Sequence, residues 1–283
     1  MSTAPRPTKA DQREEARATA LRLREQQQAV VKRQRTIAIA ATVVGLAVLG
    51  FVVAYILGTA NASALADVER PAGSTDSGAI PVGPDGVAGS TAGAAQDATV
   101  ISVYADYLCP FCASFEISNG AVLDELRATG EVVVEYHPVS ILDGASAGSV
   151  YSTRAAGAAA FVADQAPEAF LDFNLALFMN QPAEGIAGLS NVQIAGLARE
   201  AGVSDDVAAR IEDGSFVGEG DGEVTGFKEW VAAATEQASK DLGSLTTPTI
   251  LIDGEKVDTE VYDWRLEGQL AAAVADAGGP TLD

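Results

Sequence analysis

Thr36 to Gly58 is a run of 23 residues without a single charge. As a helix rising about 1.5 Å per residue it would reach about 34 Å, enough to cross a hydrocarbon layer ~30 Å thick. Lys32, Arg33 and Arg35 stand directly before the run, and no Lys or Arg follows until Arg70. That asymmetry predicts a cytoplasmic N-terminus, with the residues after about position 59 on the far side. A cleavable signal peptide is the competing reading, because Ala62-Ser63-Ala64 and Ala64-Leu65-Ala66 both fit a small-residue cleavage pattern. Signal cores run only ~7–15 apolar residues, which favours an anchor. Under either reading the body of the chain is exported.

Charge divides at the same place. Residues 1–35 hold nine Lys or Arg against four Asp or Glu, whereas the remainder holds nine against 35. So acidic a body is unsuited to nucleic acid, whose binding rests on Lys and Arg at phosphates. Hydrophobic residues make up 48% of the chain, which is enough for a packed core.

The predicted order is a charged cytoplasmic segment over 1–35, helical from Ala10 to Arg35, then a transmembrane helix over 36–58. Residues 59–97 are mostly Ala, Gly, Ser, Asp and Pro with no apolar period, which predicts a flexible linker. A folded domain over 98–283 follows. Thr99–Tyr104, Glu131–Tyr136 and Thr249–Ile252 are β-rich runs, and Asp253-Gly254 predicts a hairpin returning through Lys256-Val257. Pro110 to Ala128 reads as a helix with Phe115, Val122, Leu123 and Leu126 on one side. A helical block occupies about 145–243, broken near Pro167, Pro182–Gly188, Gly202 and Gly214–Gly222. A last helix is expected over 263–277.

The chemistry centres on Cys109-Pro110-Phe111-Cys112, between the first strand and the first helix. A helix N-terminus offers free N–H groups and the positive end of the macrodipole, and both favour a thiolate over a thiol. Cys109 is expected at the N-cap, with Pro110 at the first helical position, where its missing N–H costs nothing. Cys112 falls one turn later on the same face, within reach of a disulfide. The expected roles are an accessible nucleophile at Cys109 and a deeper, resolving thiol at Cys112. Two Cys and one His fall short of the four ligands of a structural zinc site. A structural disulfide or a chance spacing are the remaining alternatives; a loop this short removes little chain entropy.

These residues resemble the DsbA-like branch of the thioredoxin superfamily, in particular its membrane-anchored actinobacterial forms. The resemblance is carried by Val103–Cys112, by Glu135-Tyr-His-Pro138, by Ser152–Ala159 and by Thr247-Pro-Thr-Ile-Leu-Ile-Asp-Gly254. It implies an α/β thioredoxin fold with an inserted helical domain, preceded by a single transmembrane helix. Its βαβ opening and ββα close would flank the insertion. It further implies thiol–disulfide exchange, most naturally introduction of disulfides into reduced or unfolded exported polypeptides, with no cofactor beyond the Cys109–Cys112 disulfide and no metal. A quinone-linked membrane re-oxidant is the expected partner. Thr247 and Pro248 would form a cis-proline loop facing the disulfide and, with Pro110 and Phe111, touch the client. Asp106 and Glu116 are the candidate proton shuttles, with a capping or surface role as the plainer expectation for each. Phe111 stands where the family's strong oxidants carry His. The sole histidine, His137, is expected to be structural, and Phe170, Phe173, Leu177 and Phe178 to be core of the insertion. A reductase or isomerase of the same fold, and an anchored binding or chaperone module without catalysis, are the competing functions.

Overall fold

A computed structural model describes residues 9–60, 63–217 and 227–282. The chain divides after Ala62 into two compact units. The first is a single helix, α1 (Lys9–Ala60). No Pro interrupts it, and its glycines at 45, 50 and 58 lower helix propensity without stopping a helix. The charged segment and the apolar run therefore join without a boundary at residue 35. The apolar part has a mean hydropathy of 2.5 and is long enough to cross a membrane. Thr36 and Thr42 turn their hydroxyls back onto the carbonyls of Lys32 and Ala38, which leaves little polar surface on that stretch.

The second unit begins with β1 (Ile80–Val82) and β2 (Thr99–Ala105), followed by α2 (Pro110–Ala128) and β3 (Val132–Pro138). Five further helices come next: α3 (Tyr151–Gln165), α4 (Phe170–Met179), α5 (Asn191–Glu200), α6 (Asp205–Glu212) and α7 (Lys228–Leu242). β4 (Thr249–Ile252), β5 (Glu255–Lys256) and α8 (Gln269–Asp276) close the chain. The strand order is β1-β3-β2-β4-β5. β2 and β3 are parallel, and the other pairs are antiparallel. This is the thioredoxin arrangement, with α3 to α7 inserted between β3 and β4. α3 is buried almost all round by its alanines, which let neighbouring helices approach closely. Phe170, Phe173, Leu177 and Phe178 are buried as core.

One expectation is corrected. Residues 63–97 are not a tether. β1 pairs with β3, Leu65, Ala79, Ile80 and Val82 are buried, and the Ala64 N–H donates to Gln237 Oε1 at 3.0 Å. The glycines here make turns rather than slack. Gly73 and Gly89 both have positive φ, and a Cβ on Gly73 would lie 2.2 Å from the Gly89 carbonyl oxygen. The return through Gly89 and Ser90 also binds the outer edge of β1, by Gly89 N–H to Pro81 O at 2.8 Å and Gly83 N–H to Ser90 O at 2.8 Å. A three-residue strand is too short to show a period, which is why composition alone reads as linker. The last helix is shorter than expected because Gly268, at φ +76°, caps it in the left-handed region. Of the break expected over Gly214–Gly222, residues 218–222 lie outside the described residues, as do Asn61 and Ala62.

Register fixes the site. Tyr104 lies opposite His137 on one side and Thr249 on the other. The residues just before β4 therefore come alongside the loop that leaves β2 toward α2.

Candidate active site

The loop from Asp106 to Cys109 closes as a turn, with the Cys109 N–H on the Asp106 carbonyl at 3.0 Å. Cys109 takes the N-cap position of α2 in extended conformation, and Pro110 opens the helix. Cys112 follows one turn in, its N–H on the Cys109 carbonyl at 3.0 Å. Both cysteines are thiols in the structure. Cys109 Sγ lies 3.4 Å from the Thr247 carbonyl oxygen, and the Thr247–Pro248 peptide is cis.

The two sulfurs have opposite electrostatics. A hydrogen bond from the Cys112 thiol, outweighing the cost of burial, draws Cys109 down to about 6, with help from the Thr247 side chain and the N–H groups of Cys112 and Phe111. Cys112 is pushed far above the ordinary thiol range, first by burial and then by Cys109 beside it. Cys109 is less accessible than the sequence leads one to expect, at 4% exposed against 1% for Cys112. The Thr247–Pro248 segment lies against it, so the deeper position of Cys112 is a small difference rather than a large one. Phe111, by contrast, is 61% exposed on the rim.

The carboxylates also depart from expectation, because neither is a surface group. Asp106 is fully buried. Its Oδ1 accepts the Leu108 N–H at 2.8 Å and the Ser152 hydroxyl at 2.7 Å, and its Oδ2 accepts the Leu142 N–H at 2.9 Å. Burial raises its pKa while these three donors oppose the rise. The arrangement ties the loop before Cys109 to α3. Glu116 is 6% exposed and sits one turn beyond Cys112 on the same face of α2. Burial raises it to about 7, against a hydrogen bond from Asn174. That bond joins a relay: the Tyr107 hydroxyl donates to Asn174 Oδ1 at 2.7 Å, and Asn174 Nδ2 donates to Glu116 Oε1 at 2.7 Å. A cavity of about 260 Å³ beside α2 is lined by Glu116, Asp124, Tyr136, Leu171 and Asp172, with the exposed Ile117 at its side.

His137 is buried on the sheet, stacked on Tyr104 at 4.0 Å between ring centres, and its Nε2 lies 3.7 Å from Glu135. It belongs to the packing under α7 rather than to the sulfur site. Sequence reading missed Asn174 and Gln181. Gln181 Nε2 donates to the carbonyls of both Tyr107 and Cys109, at 3.0 and 2.9 Å. Nothing in the sequence marks either, since each is a neutral amide in or just after an apolar helix. Among the described residues no cluster of His, Cys, Asp and Glu is placed to hold a metal.

Comparison with known proteins fits this geometry. Residues 87–271 match the thioredoxin family model, which covers most of the chain. The chain belongs to the thioredoxin family. Among solved structures it is similar to MdbA, a thiol-disulfide oxidoreductase from Corynebacterium diphtheriae, with 25% identity, a TM-score of 0.56, and coverage of 72% of this chain and 98% of that one. It is also similar to reduced DsbA from Mycobacterium tuberculosis, with 30% identity, a TM-score of 0.51, and coverage of 70% and 98%. Over 138 residues it is 32% identical to the serine/threonine-protein kinase PknE of Mycobacterium tuberculosis. That match takes in 47% of this chain but only 24% of the kinase, so the chain spans about a quarter of the length of the curated relatives it matches. The family's fold thus recurs in the named oxidoreductases over nearly their whole length.

Proposed function

We propose that this protein is an extracytoplasmic thiol–disulfide oxidoreductase that introduces disulfides into reduced exported polypeptides. The observation that carries the reading is the asymmetry of the pair: the Cys109 thiol is held acidic at the first turn of α2 while Cys112 is held protonated. A stabilised Cys109 thiolate favours the reduced protein, which makes the disulfide form an oxidant.

In the proposed cycle a client thiolate attacks Cys109 Sγ of the Cys109–Cys112 disulfide. The S–S bond breaks, a client–Cys109 disulfide forms, and Cys112 leaves and takes a proton. A second client thiolate then attacks the client sulfur. Cys109 departs as a thiolate, the client is oxidised by two electrons and the protein is reduced by two. Glu116, with a pKa near 7 and on the face of Cys112, is the group we assign to supply and reclaim the proton at Cys112. Asp106 has its oxygens committed to three donors and is assigned to anchoring. Thr247, Pro248, Pro110 and the exposed Phe111 would form the client contact. Re-oxidation falls to a membrane partner, for which a quinone-linked protein is the fitting class. The basic residues before the apolar part of α1 support a cytoplasmic N-terminus, with the second unit beyond the cell membrane.

The test is oxidative refolding of a reduced secreted protein, run beside insulin reduction, with Cys109 and Cys112 replaced in turn. Faster refolding by the wild type alone supports the assignment. Insulin reduction without refolding activity would move the protein to the reductase reading, and neither activity would leave an anchored binding module.

A further inference from the structure

The four residues from Asp106 to Cys109 are gripped almost wholly by the inserted helices. Asp106 is held from α3 through Ser152, and from the approach to α3 through the Leu142 N–H. The Tyr107 ring lies against Phe178 of α4, 4.7 Å between centres, and its hydroxyl is fixed by Asn174 of the same helix. What remains is the Tyr107 carbonyl, which is taken by Nε2 of Gln181; the same nitrogen also reaches the Cys109 carbonyl, which already accepts the Cys112 and Ala113 N–H groups. Gln181 stands just past the end of α4, its own N–H on the Phe178 carbonyl at 3.3 Å, and Pro182 follows. Its backbone is thus set by the same helix that fixes Tyr107.

The assignment rests on the redox reading above. We propose that Gln181 is a positioning residue for Cys109: its amide fastens the Tyr107 carbonyl and braces the Cys109 carbonyl, so that the first-turn N–H groups of α2 stay aimed at the Cys109 sulfur. Two carbonyl oxygens carry partial negative charge close to a group that must become an anion. The bonds from Gln181 partly neutralise them. Without Gln181 the Cys109 carbonyl would keep the N–H groups of α2, but the Tyr107 carbonyl would lose its donor, and the Tyr107–Leu108 peptide would turn to find another. The turn would carry Cys109 off the axis of α2, where the N–H groups and dipole act only over the first turn. The insertion, distant in sequence from the cysteines, thereby contributes to the reactivity of the nucleophile itself.

The experiment uses the full chain in detergent and follows the rate of Cys109 alkylation against pH, with thermal unfolding in parallel. Cys112 stays protonated through the range, so one thiol titrates, with a wild-type midpoint near about 6. Gln181→Met keeps the length and removes the donor, and Gln181→Ala serves should the Met variant not fold. Either should move the midpoint upward by about half a pKa unit or more, which cuts the thiolate fraction at pH 6 by about twofold or more. Asn180→Ala, whose amide bonds only its own helix at the Ala176 carbonyl, should leave the midpoint in place. Folded Gln181 variants that titrate with the wild type would overturn the proposal. A wild type without any exchange activity would instead sink the redox reading on which it rests.

Discussion

Cys109 at the mouth of α2 and Glu116 on its buried flank are two turns apart, and the helix treats an acid in opposite ways at the two. At the mouth, Cys109 faces free N–H groups and a neighbouring thiol, and its pKa falls to about 6. On the flank, Glu116 is buried with the Asn174 amide for a partner, and its pKa rises to about 7. A thiol and a carboxyl that differ by several units in water are thus brought to nearly the same value. Near neutral pH Cys109 is then largely a thiolate while Glu116 still holds part of its proton, which is what the proposed transfer from Glu116 to the departing Cys112 requires.

The largest effect should come from removing the mouth's function. Cys109→Ala should reduce disulfide exchange to background, at least ~1,000-fold, in the refolding assay. In Cys112→Ser the Cys109 thiolate should attack disulfides of a client, release one client thiolate, and accumulate as mixed disulfides visible on non-reducing gels, because no resolving thiol follows. If Cys109→Ala retained exchange, the mouth would lose its special status.

The flank is tested by pH. Glu116 has a raised folded pKa, so the folded state holds its proton more tightly than the unfolded chain does. Its contribution to stability is therefore full below about 4.5 and is lost as pH rises through about 7. Glu116→Gln removes the ionisable group while keeping an acceptor for Asn174. It should gain on the wild type by ~1–3 kcal/mol at pH 8 and by much less at pH 4.5, in denaturant unfolding. An equal difference at both pH values would place Glu116 in a polar, wet setting. Exchange by this variant should also lose its dependence on a group titrating near 7.

Asp106→Ala should cost about 2–3 kcal/mol by leaving the Leu108 and Leu142 N–H groups and the Ser152 hydroxyl without their acceptor. The loss should fall on stability before it falls on the Cys109 titration, and the two readouts together separate anchoring from proton transfer. The smallest change expected is from Phe111→His. A ring nitrogen beside the sulfur can donate to the thiolate, so the Cys109 midpoint should drop below about 6, by up to one unit, with little effect on unfolding.

Much of this was legible in the sequence because each feature has a local cause. Cys109 and Pro110 lie at a strand-to-helix junction, and Asp253-Gly254 dictates a tight turn at φ +49° and +83°. The β2, β3 and β4 runs needed only their β-branched composition to be found. What was hidden depends on contacts remote in sequence. Glu116 reads as a polar residue on an amphipathic helix until α4 is laid over it, bringing Asn174 from 58 positions away. Gln181 carries no mark of its reach to Cys109. Residues 63–97 misled for a different reason. Their glycines occupy left-handed turns and a backbone contact too close for a side chain, yet in composition such glycines look the same as slack.

The way β1 is finished bears on what its edge can bind. A bare strand edge would offer its free N–H and C=O groups to any extended polypeptide, and two such copies could zip together or capture a client in the wrong place. Here the chain doubles back and fills those positions on β1 with its own Gly89 and Ser90. The outer edge of β1 is thereby occupied along Pro81 and Gly83 and is closed there to pairing with another extended chain.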